Sequence, residues 1–260
     1  MSRPLILLSN DDSVNASGLD ALITMLSPFG DLLVVAPDVP RSGASHSLTV
    51  PNPITIDKIR ESEGLSVYAC SGTPTDCVKV ATSCLISRQP DLMVSGINHG
   101  SNASVSVIYS GTMGAAIEAT MLGIPSAGFS LCDYALDADF SASIRYGQII
   151  IREILTNGIP KGVALNVNIP SLPFDEIKGI KICRQNKGMW KEEFEKKTDP
   201  LTGDESYWLS GYYHNEEPGA EGADETALSK GYISIVPTHY DFTAYDAIEK
   251  MRKFETLKRD

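Results

Sequence analysis

The sequence predicts an α/β fold around a mostly parallel sheet, followed by a C-terminal hairpin arm and a terminal helix. Two apolar runs, LILL at residues 5–8 and LLVVA at residues 32–36, have the length and continuous hydrophobicity of strands covered on both faces. Between them, apolar residues recur at the spacing of one helix face. Strand, helix and strand in this order form a parallel βαβ unit. A chain of 260 residues is long enough for one large core of this class.

Composition narrows the functional classes. The formal net charge of −11 argues against a general nucleic-acid binder, because affinity for the phosphate backbone depends on basic patches. The five cysteines form no CxxC pair and no even disulfide framework, so we expect buried thiols in a reducing compartment. The first apolar run is too short for a signal peptide, and no stretch has the length of a membrane span. These observations predict a cytoplasmic protein with neither a membrane nor a nucleic-acid partner.

The first helix is predicted to use Ser17 as its cap and to end in the segment Pro28–Gly30. Residues 54–57 and 66–70 have the pattern of two paired strands around a turn. Because both strands of the βαβ unit run in the same direction, the loops that follow them are expected at one edge of the sheet.

A second helix is predicted to begin after Thr73, where a proline follows and Asp76 completes a capping-box pattern. The helix should continue to about residue 87. Cys77 and Cys84 are seven residues apart and are interpreted as core residues rather than reactive thiols.

Residues 91–95 form the next predicted strand, and the loop GINHGSN at residues 96–102 follows it. This loop brings several polar side chains to the same sheet edge, namely Asn98, His99, Ser101 and Asn102. A helix of small residues is predicted at 112–122, with Ser110 and Gly111 before it. Free N–H groups at such a helix start suit a phosphate, although ordinary capping by Ser110 explains this segment taken alone.

The remaining chain continues the pattern and then changes in composition. The predicted elements are a strand at 126–130, a helix from Phe140 to Leu155, a strand at 163–169 whose Asn166 and Asn168 are structural hydrogen bonders, an edge strand at 180–183, a strand at 232–236 and a helix at 244–257. Residues 188–230 contain both tryptophans and an acidic, glycine-rich run, which indicates an arm of hairpins with a solvated loop. We therefore expect one domain at 1–186 and a C-terminal part at 187–260 that contains the hairpin arm, a returning strand and a helix.

Two adjacent carboxylates, Asp11 and Asp12, directly follow the first strand. Ligands of open α/β sheets bind beyond the carboxyl ends of the strands. Adjacent like charges raise each other's proton affinity unless a cation or hydrogen-bond donors neutralise them. The alternative is that residues 10–12 only form a turn and cap the next helix.

The polar loops at this edge contain oxygen donors and few soft ligands, a balance that favours Mg²⁺ or Mn²⁺ over zinc. The four histidines are scattered and are interpreted as solvated or hydrogen-bonded side chains. There is no P-loop, and no GxGxxG follows the first strand. A carboxylate-held metal beside an anion-binding helix start suits hydrolysis of a phosphate monoester, in which the metal activates the attacking water.

Seven ordered blocks resemble the SurE family of survival proteins, which are nucleotidases. The blocks are SNDD at 9–12, APD with RSGAS at 36–45, GTPTDCV at 72–78, PDLMVSGINHGSN at 90–102, YSGTMGAA at 109–116, LNVNIP at 165–170 and GYISIVP at 231–237. The resemblance implies a Rossmann-like three-layer α/β/α domain and one divalent metal ion per subunit. It also implies hydrolysis of nucleoside 5′-monophosphates, with some members acting on 3′-monophosphates or short polyphosphate.

The resemblance assigns roles to individual positions. The matched metal ligands are Asp11, Asp12, Ser42 and Asn98, of which the two aspartates are also the expected catalytic residues. The matched phosphate-binding positions are Asn102, Ser110, Gly111 and Thr112. In the family the C-terminal arm is exchanged between subunits, so a homodimer or homotetramer is expected.

Two positions depart from the family pattern. Ser13 and Ala119 stand where glycine is usual, which is expected to affect rate and substrate preference rather than reaction type. No proton donor to the leaving group stands out; His239 ranks below a metal-bound water. Two other functions stay open: a phosphatase with an aspartyl-phosphate intermediate on Asp11, and a regulatory module that binds a nucleotide without turnover.

Overall fold

The computed structural model describes residues 3–257, apart from the side chains of residues 192 and 193. Its centre is a nine-stranded, mostly parallel sheet with helices on both faces, and a separate two-stranded antiparallel sheet forms the hairpin arm. A short helix ends the described chain. The predicted three-layer α/β/α fold with its hairpin arm and terminal helix is confirmed.

The strands of the described chain are β1 (Leu5–Ser9), β2 (Asp31–Pro37), β3 (Ile56–Ser62), β4 (Leu65–Cys70), β5 (Leu92–His99), β6 (Ser126–Cys132), β7 (Ala164–Pro170), β8 (Ile180–Ile182), β9 (Gly188–Thr198), β10 (Glu205–Asn215) and β11 (Ile233–Thr238). The order in the central sheet is β3-β4-β2-β1-β5-β6-β7-β11-β8. The six strands from β4 to β7 are mutually parallel, and β3 and β11 run antiparallel to their neighbours β4 and β7. All six parallel strands therefore end at one edge.

The α-helices are α1 (Ser17–Leu26), α2 (Pro74–Val80), α3 (Ser106–Tyr109), α4 (Gly111–Met121), α5 (Ser141–Asn157), α6 (Asp224–Ser229) and α7 (Tyr245–Met251). Shorter helical turns lie at Ala81–Leu85, Phe174–Glu176 and Arg252–Thr256. Within residues 3–257, no helix combines the length and the apolar character that a membrane span requires.

Two apolar cores lie on opposite faces of the sheet. The strand β1 shows why: Ile6 and Leu8 belong to the core under α1 and α5, whereas Leu7 belongs to the core under α2 and α4. All three side chains are fully buried, and burial of one such side chain stabilises the fold by roughly 1.5–3 kcal/mol. Coverage of both faces explains the uninterrupted apolar runs in the sequence.

The start of α1 differs from the prediction that Ser17 is its cap. Ala16 is the N-cap, with extended backbone angles, and Ser17 is the first helical residue. Its Oγ lies 3.4 Å from Nε2 of His99. A Cβ atom on Gly18 would lie 2.0 Å from the carbonyl oxygen of Ile97, so this helix packs directly on the backbone of β5.

The capping box of α2 is confirmed, but the helix then widens. Thr73 Oγ1 accepts a hydrogen bond from Asp76 N at 3.1 Å, and Asp76 Oδ2 accepts one from Thr73 N at 2.9 Å. A π-helical turn follows at Ala81–Leu85 and ends the helix before the predicted residue 87. The wider turn rotates the following side chains around the axis. The prediction that Cys84 is a core residue is therefore wrong: its side chain is exposed, whereas Cys77 is buried.

The strand β5 extends to His99, four residues beyond its predicted end. Its register against β6 shifts between Ser95 and Asn98. Gly96 permits this irregularity, because its φ is +124° and a Cβ atom there would lie 2.3 Å from the carbonyl oxygen of Phe129. Asn98 and His99 consequently lie at a strand end rather than in the predicted loop.

The hairpin formed by β9 and β10 extends away from the central sheet. Cross-strand partners share a face, and Trp190 pairs with Tyr213 while Phe194 pairs with Leu209. Phe194 and Leu209 are both 64% exposed. This hairpin therefore presents an apolar pair that the described chain leaves uncovered.

The base of the hairpin is tied to the segment between β5 and α4. The buried carboxylate of Asp224 accepts hydrogen bonds from the backbone N–H groups of Ser104 at 2.8 Å and Asn186 at 2.9 Å. The Tyr213 hydroxyl donates a hydrogen bond to Ser104 Oγ at 2.7 Å. The Ser104 hydroxyl in turn donates one to the carbonyl oxygen of Asn186. These bonds fix one end of the hairpin against the edge where the parallel strands end.

The loop after β1 contains a strained position. Ser13 is buried and has a φ of +89°, the left-handed region that favours glycine. Its carbonyl oxygen accepts hydrogen bonds from Asn10 Nδ2 at 2.9 Å and Ala16 N at 3.1 Å, and the adjacent Val14 N donates to Pro37 O at 2.8 Å. These bonds hold the strained conformation in place.

We expect Ser13→Gly to stabilise the protein. Relief of left-handed strain is worth about 1–2 kcal/mol, and the greater freedom of glycine in the unfolded chain offsets about 0.5–1 kcal/mol of it. The net gain should raise the melting temperature by about 2 °C in a thermal unfolding experiment. Ser13→Ala, which keeps the strain and removes the hydroxyl, is the control and should show no such rise. A lower melting temperature for Ser13→Gly would contradict this account of the loop.

Candidate active site

A cavity of about 750 Å³ opens at the edge where the parallel strands end. Its polar side contains six of the predicted site residues, from four separate segments of the chain: Asp11, Asp12, Ser42, Asn98, Asn102 and Ser110. Its apolar side includes Tyr109, Tyr134, Trp190 and Leu209. The βαβ topology thus brings together residues that are up to about one hundred positions apart in the sequence.

Asp11 is buried between the end of β1 and the start of α4. Its Oδ1 accepts a hydrogen bond from Thr112 Oγ1 at 2.5 Å, and its Oδ2 accepts one from Gly111 N at 3.2 Å. Burial raises its pKa to about 6; the charge of Asp12 adds to this increase, whereas the Thr112 hydrogen bond opposes it. Asp11 is thus an anionic group whose charge the protein itself only partly compensates.

Gly111 lets Asp11 approach the helix. A Cβ atom at this position would lie 2.8 Å from Cβ and 2.9 Å from Oδ2 of Asp11, closer than real Cβ contacts. The first turn of α4 is therefore occupied by a carboxylate from the protein itself. Ser110 caps the same turn, since its Oγ accepts a hydrogen bond from Met113 N at 3.1 Å.

Asp12 is more exposed than Asp11 and contacts His99. The Oδ2 atom of Asp12 lies 3.3 Å from His99 N and 3.4 Å from His99 Nδ1. The other ring nitrogen of His99 faces Ser17, and the ring packs edge-on against Phe140 at 5.0 Å between centroids. His99 is hydrogen-bonded, as predicted, and its contacts fix the orientation of the Asp12 carboxylate.

The polar donors of the cavity fit a hard cation. Asn98 uses Nδ2 to donate to the carbonyl oxygens of His99 at 3.2 Å and Gly100 at 2.8 Å, so its amide oxygen has no hydrogen bond among the described residues. Ser42 adds a hydroxyl oxygen and Asp12 a partly buried carboxylate. Residues 3–257 contain no cluster of three or more His, Cys, Asp or Glu side chains suited to a metal. The donor set is therefore oxygen-rich but limited to two carboxylates, as Mg²⁺ sites with retained water often are.

Asn102 is held by neighbours from β6 and β7. Its Nδ2 donates to Ser130 Oγ at 2.8 Å, and its backbone N–H donates to Asn168 Oδ1 at 2.8 Å. Asn166 Nδ2 donates to the Asn102 carbonyl oxygen at 2.8 Å. The interpretation of Asn166 and Asn168 as structural hydrogen bonders is confirmed.

The four predicted phosphate-binding residues fall into two groups. Asn102 and Ser110 line the cavity, whereas Gly111 and Thr112 lie behind them and contact Asp11. Thr112 is fully buried. A role in phosphate binding stays a prediction for all four.

His239, the candidate proton donor ranked below a metal-bound water, is not near the cavity, so its expected position at the site is wrong. It follows β11, which runs antiparallel to β7, and its Nδ1 lies 3.0 Å from the carbonyl oxygen of Gly162 at the other edge of the sheet. The direction of β11 could not be read from its sequence. His99, rather than His239, is the histidine that lines the cavity.

Two aromatic side chains on the apolar side of the cavity contact residues of neighbouring segments. The Tyr134 ring lies against Gly100, where a Cβ atom would come within 2.2 Å of the ring carbon Cε1. The Trp190 indole donates through Nε1 to Ser106 Oγ at 3.2 Å and packs edge-on against Tyr213. The sequence pattern indicates only that Trp190 belongs to the arm and indicates no role for Tyr134, because neither residue lies in a polar motif.

Comparisons with known proteins show the family of the chain. A sequence model of the family described as "Survival protein SurE" matches residues 6–192. A curated relative from Christiangramia forsetii, named 5′-nucleotidase SurE, is 50% identical to this chain over 251 residues. The match covers 96% of this chain and 96% of the relative. A relative of the same name from Flavobacterium psychrophilum is 48% identical, over 99% of this chain and 100% of the relative.

The fold also matches a solved structure. The crystal structure of the SurE protein from Aquifex aeolicus superposes with a TM-score of 0.83 at 38% sequence identity, covering 97% of this chain and 100% of that one. Sequence and fold agree over nearly the whole chain. The chain belongs to the SurE family.

Proposed function

We propose that the protein is a 5′-nucleotidase: a divalent-metal-dependent phosphomonoesterase that hydrolyses nucleoside 5′-monophosphates to nucleoside and phosphate. The observation that carries this proposal is the convergence of Asp11, Asp12, Ser42 and Asn98 in one cavity beside the start of α4. The names of the relatives from Christiangramia forsetii and Flavobacterium psychrophilum support the same reaction.

The proposed metal ligands are Asp11, Asp12, Ser42 and Asn98, and the ion is Mg²⁺ or Mn²⁺. Their oxygens suit a hard cation, which when bound would lower the pKa of an attacking water and offset charge on the phosphoryl oxygens. Burial and the Asp12 charge raise the pKa of Asp11, and a cation nearby would reverse that effect. Asp11 and Asp12 are thus the proposed catalytic pair.

The remaining polar residues position the substrate and the aspartates. Asn102 and Ser110 line the cavity and are proposed to contact the phosphate, whereas Gly111 and Thr112 are proposed to position Asp11. No lysine or arginine of the described chain lines the cavity. Because arginine and lysine are the side chains that pair with the charges of phosphate groups, this composition favours a single phosphoryl group over polyphosphate.

A mechanism with an aspartyl-phosphate on Asp11 is less well supported. Both of its carboxylate oxygens accept hydrogen bonds, and the residue is only 4% exposed. A nucleophile needs an accessible oxygen in line with the phosphorus. Direct attack by water needs no in-line oxygen of Asp11. As a metal ligand, Asp11 needs only one remaining lone pair of a carboxylate oxygen at the cavity that it lines.

The assembly proposed for the protein is a homodimer or homotetramer formed through the hairpin of β9 and β10. The exposed pair of Phe194 and Leu209 is the supporting observation, because exposed apolar patches mark interaction surfaces. Exchange of an identical element between subunits is a low-cost route to such assemblies.

The reaction is tested by phosphate release from AMP and GMP with added Mn²⁺. We expect turnover by the parent and a loss of at least about 100-fold for Asp12→Asn, because a ligand charge disappears while the shape is kept. Asp20→Asn, on the exposed side of α1, is the control and should keep full activity. No release from any phosphomonoester would favour the regulatory binding module instead. Parental metal affinity of Asp12→Asn in a calorimetric titration would contradict the ligand assignment.

Thr112→Val is expected to lower the turnover number by about tenfold, because Asp11 loses its 2.5 Å hydrogen bond. Leaving the buried Asp11 oxygen without this donor should also cost about 1–3 kcal/mol of stability. Thr112→Ser keeps the hydroxyl and should retain most activity. Steady-state kinetics and chemical denaturation measure both effects. If the valine and serine variants behaved alike, Thr112 would have no positioning role.

The assembly is tested by shortening the hairpin. Replacing residues 192–211 with an Asn-Gly turn keeps the paired residues Lys191 and Tyr212 and the anchored hairpin base. We expect sedimentation velocity to show a smaller assembly than that of the parent. Leu209→Ser should weaken assembly in the same direction. An unchanged sedimentation coefficient for the shortened protein would rule out assembly through the hairpin.

A further inference from the structure

We propose that the aromatic side of the cavity, formed by Tyr134 and Trp190, is a stacking subsite for the nucleobase of the substrate. This inference rests on the proposed nucleotidase function and names the part of the chain that selects nucleotides among phosphomonoesters. It follows from the size of the cavity, the placement of the two rings and the side chains around them.

The cavity is much larger than its polar side requires. Its volume is about 750 Å³, whereas a phosphoryl group with a cation takes the space of a few water molecules, each about 30 Å³. Several hundred cubic ångströms therefore remain for the rest of the substrate. This space lies between the polar residues and the aromatic side chains within a single cavity.

Tyr134 contacts Gly100, which also contacts the polar side of the cavity. The ring lies against this glycine, and the Gly100 carbonyl oxygen accepts the hydrogen bond from Asn98 Nδ2 at 2.8 Å. Gly100 has a φ of +97°, and the space taken by the ring excludes any side chain there. The inner face of Tyr134 is thus covered, while the residue remains 71% exposed and can receive a planar ligand.

Trp190 is the second planar group of the subsite. Its bond to Ser106 Oγ and its contact with Tyr213 hold the indole at the base of the hairpin. Strand alternation places Trp190 on the same hairpin face as Leu209 and Gly211, which also line the cavity. Gly211 has no side chain, so this face stays open between Leu209 and Tyr213.

The aromatic side of the cavity suits a neutral aromatic ligand, because it carries no charged side chain among the described lining residues. The described lining residues carry charge only at Asp11, Asp12 and, when protonated, His99, all on the polar side. Every nucleobase has a π face, so stacking on tyrosine and tryptophan supplies binding energy without selecting one base. The inferred ligand is therefore the base of a purine or pyrimidine nucleoside monophosphate.

The subsite is tested by comparing AMP with ribose 5-phosphate, which carries the same phosphorylated sugar without a base. In Tyr134→Ala we expect the KM for AMP to rise about tenfold with little change in kcat, and kcat/KM for ribose 5-phosphate to stay within twofold. Tyr134→Phe keeps the ring and should restore the parental KM. Tyr240→Ala, a tyrosine near the other edge of the sheet, is the matched control.

A binding measurement without the phosphate tests the same inference independently of turnover. Adenosine should quench the tryptophan fluorescence of the parent and of Trp208→Phe, because Trp208 lies on the other hairpin face. Adenosine should quench the fluorescence of Trp190→Phe much less, because the remaining tryptophan, Trp208, faces away from the cavity.

An equal fall in kcat/KM for AMP and ribose 5-phosphate would overturn the inference, as would quenching by adenosine that survives Trp190→Phe. A parent that hydrolyses both substrates with equal kcat/KM would also overturn it while leaving the phosphomonoesterase function intact. A parent that hydrolyses neither substrate would instead refute the proposed function.

Discussion

The hydrogen bond between Thr112 and the buried Asp11 is the contact on which the site depends. It joins the end of β1 to the first turn of α4, two elements about one hundred residues apart. Gly111 makes the contact possible, because any side chain there would collide with the carboxylate. The conventional anion site at the start of this helix is thus occupied by the protein itself. The polar side of the cavity therefore contains two carboxylates, Asp11 and Asp12, and no lysine or arginine of the described chain lines it.

Around this contact, sequence patterns predicted the architecture well where periodicity and topology determine it. The apolar runs of β1 and β2 and the capping box of α2 lie where their patterns placed them. The hairpin arm is present but covers only residues 188–215 of the predicted 188–230, because the helix α6 and its buried residues occupy the rest. Because parallel strands end at one edge, the spacing of polar motifs also predicted that Asp11, Asp12, Ser42 and Asn98 would meet. Their roles stay predictions.

Features that depend on tertiary contacts were not predictable. The π-helical turn at Ala81–Leu85 exposes Cys84, although its spacing from Cys77 matches a helix face. At Gly96 the backbone of β5 lies close to the carbonyl oxygen of Phe129, and the register against β6 shifts there. The local sequence does not indicate this contact or the longer strand. Tyr134 has no motif around it, and only the fold places it against Gly100. The positions of side chains that depend on contacts with distant parts of the backbone cannot be predicted from local sequence patterns.

The anchored base of the hairpin connects the proposed assembly surface to the cavity. Asp224 and Tyr213 tie the hairpin to Ser104, which lies between the cavity residues Asn102 and Ser110. If the outer part of the hairpin takes up a second subunit, the free energy of that association and the affinity for substrate are thermodynamically linked. By reciprocity, substrate that favours one hairpin orientation would tighten subunit association by the same factor. Dilution would then weaken nucleotide binding even though each subunit carries a complete set of polar residues.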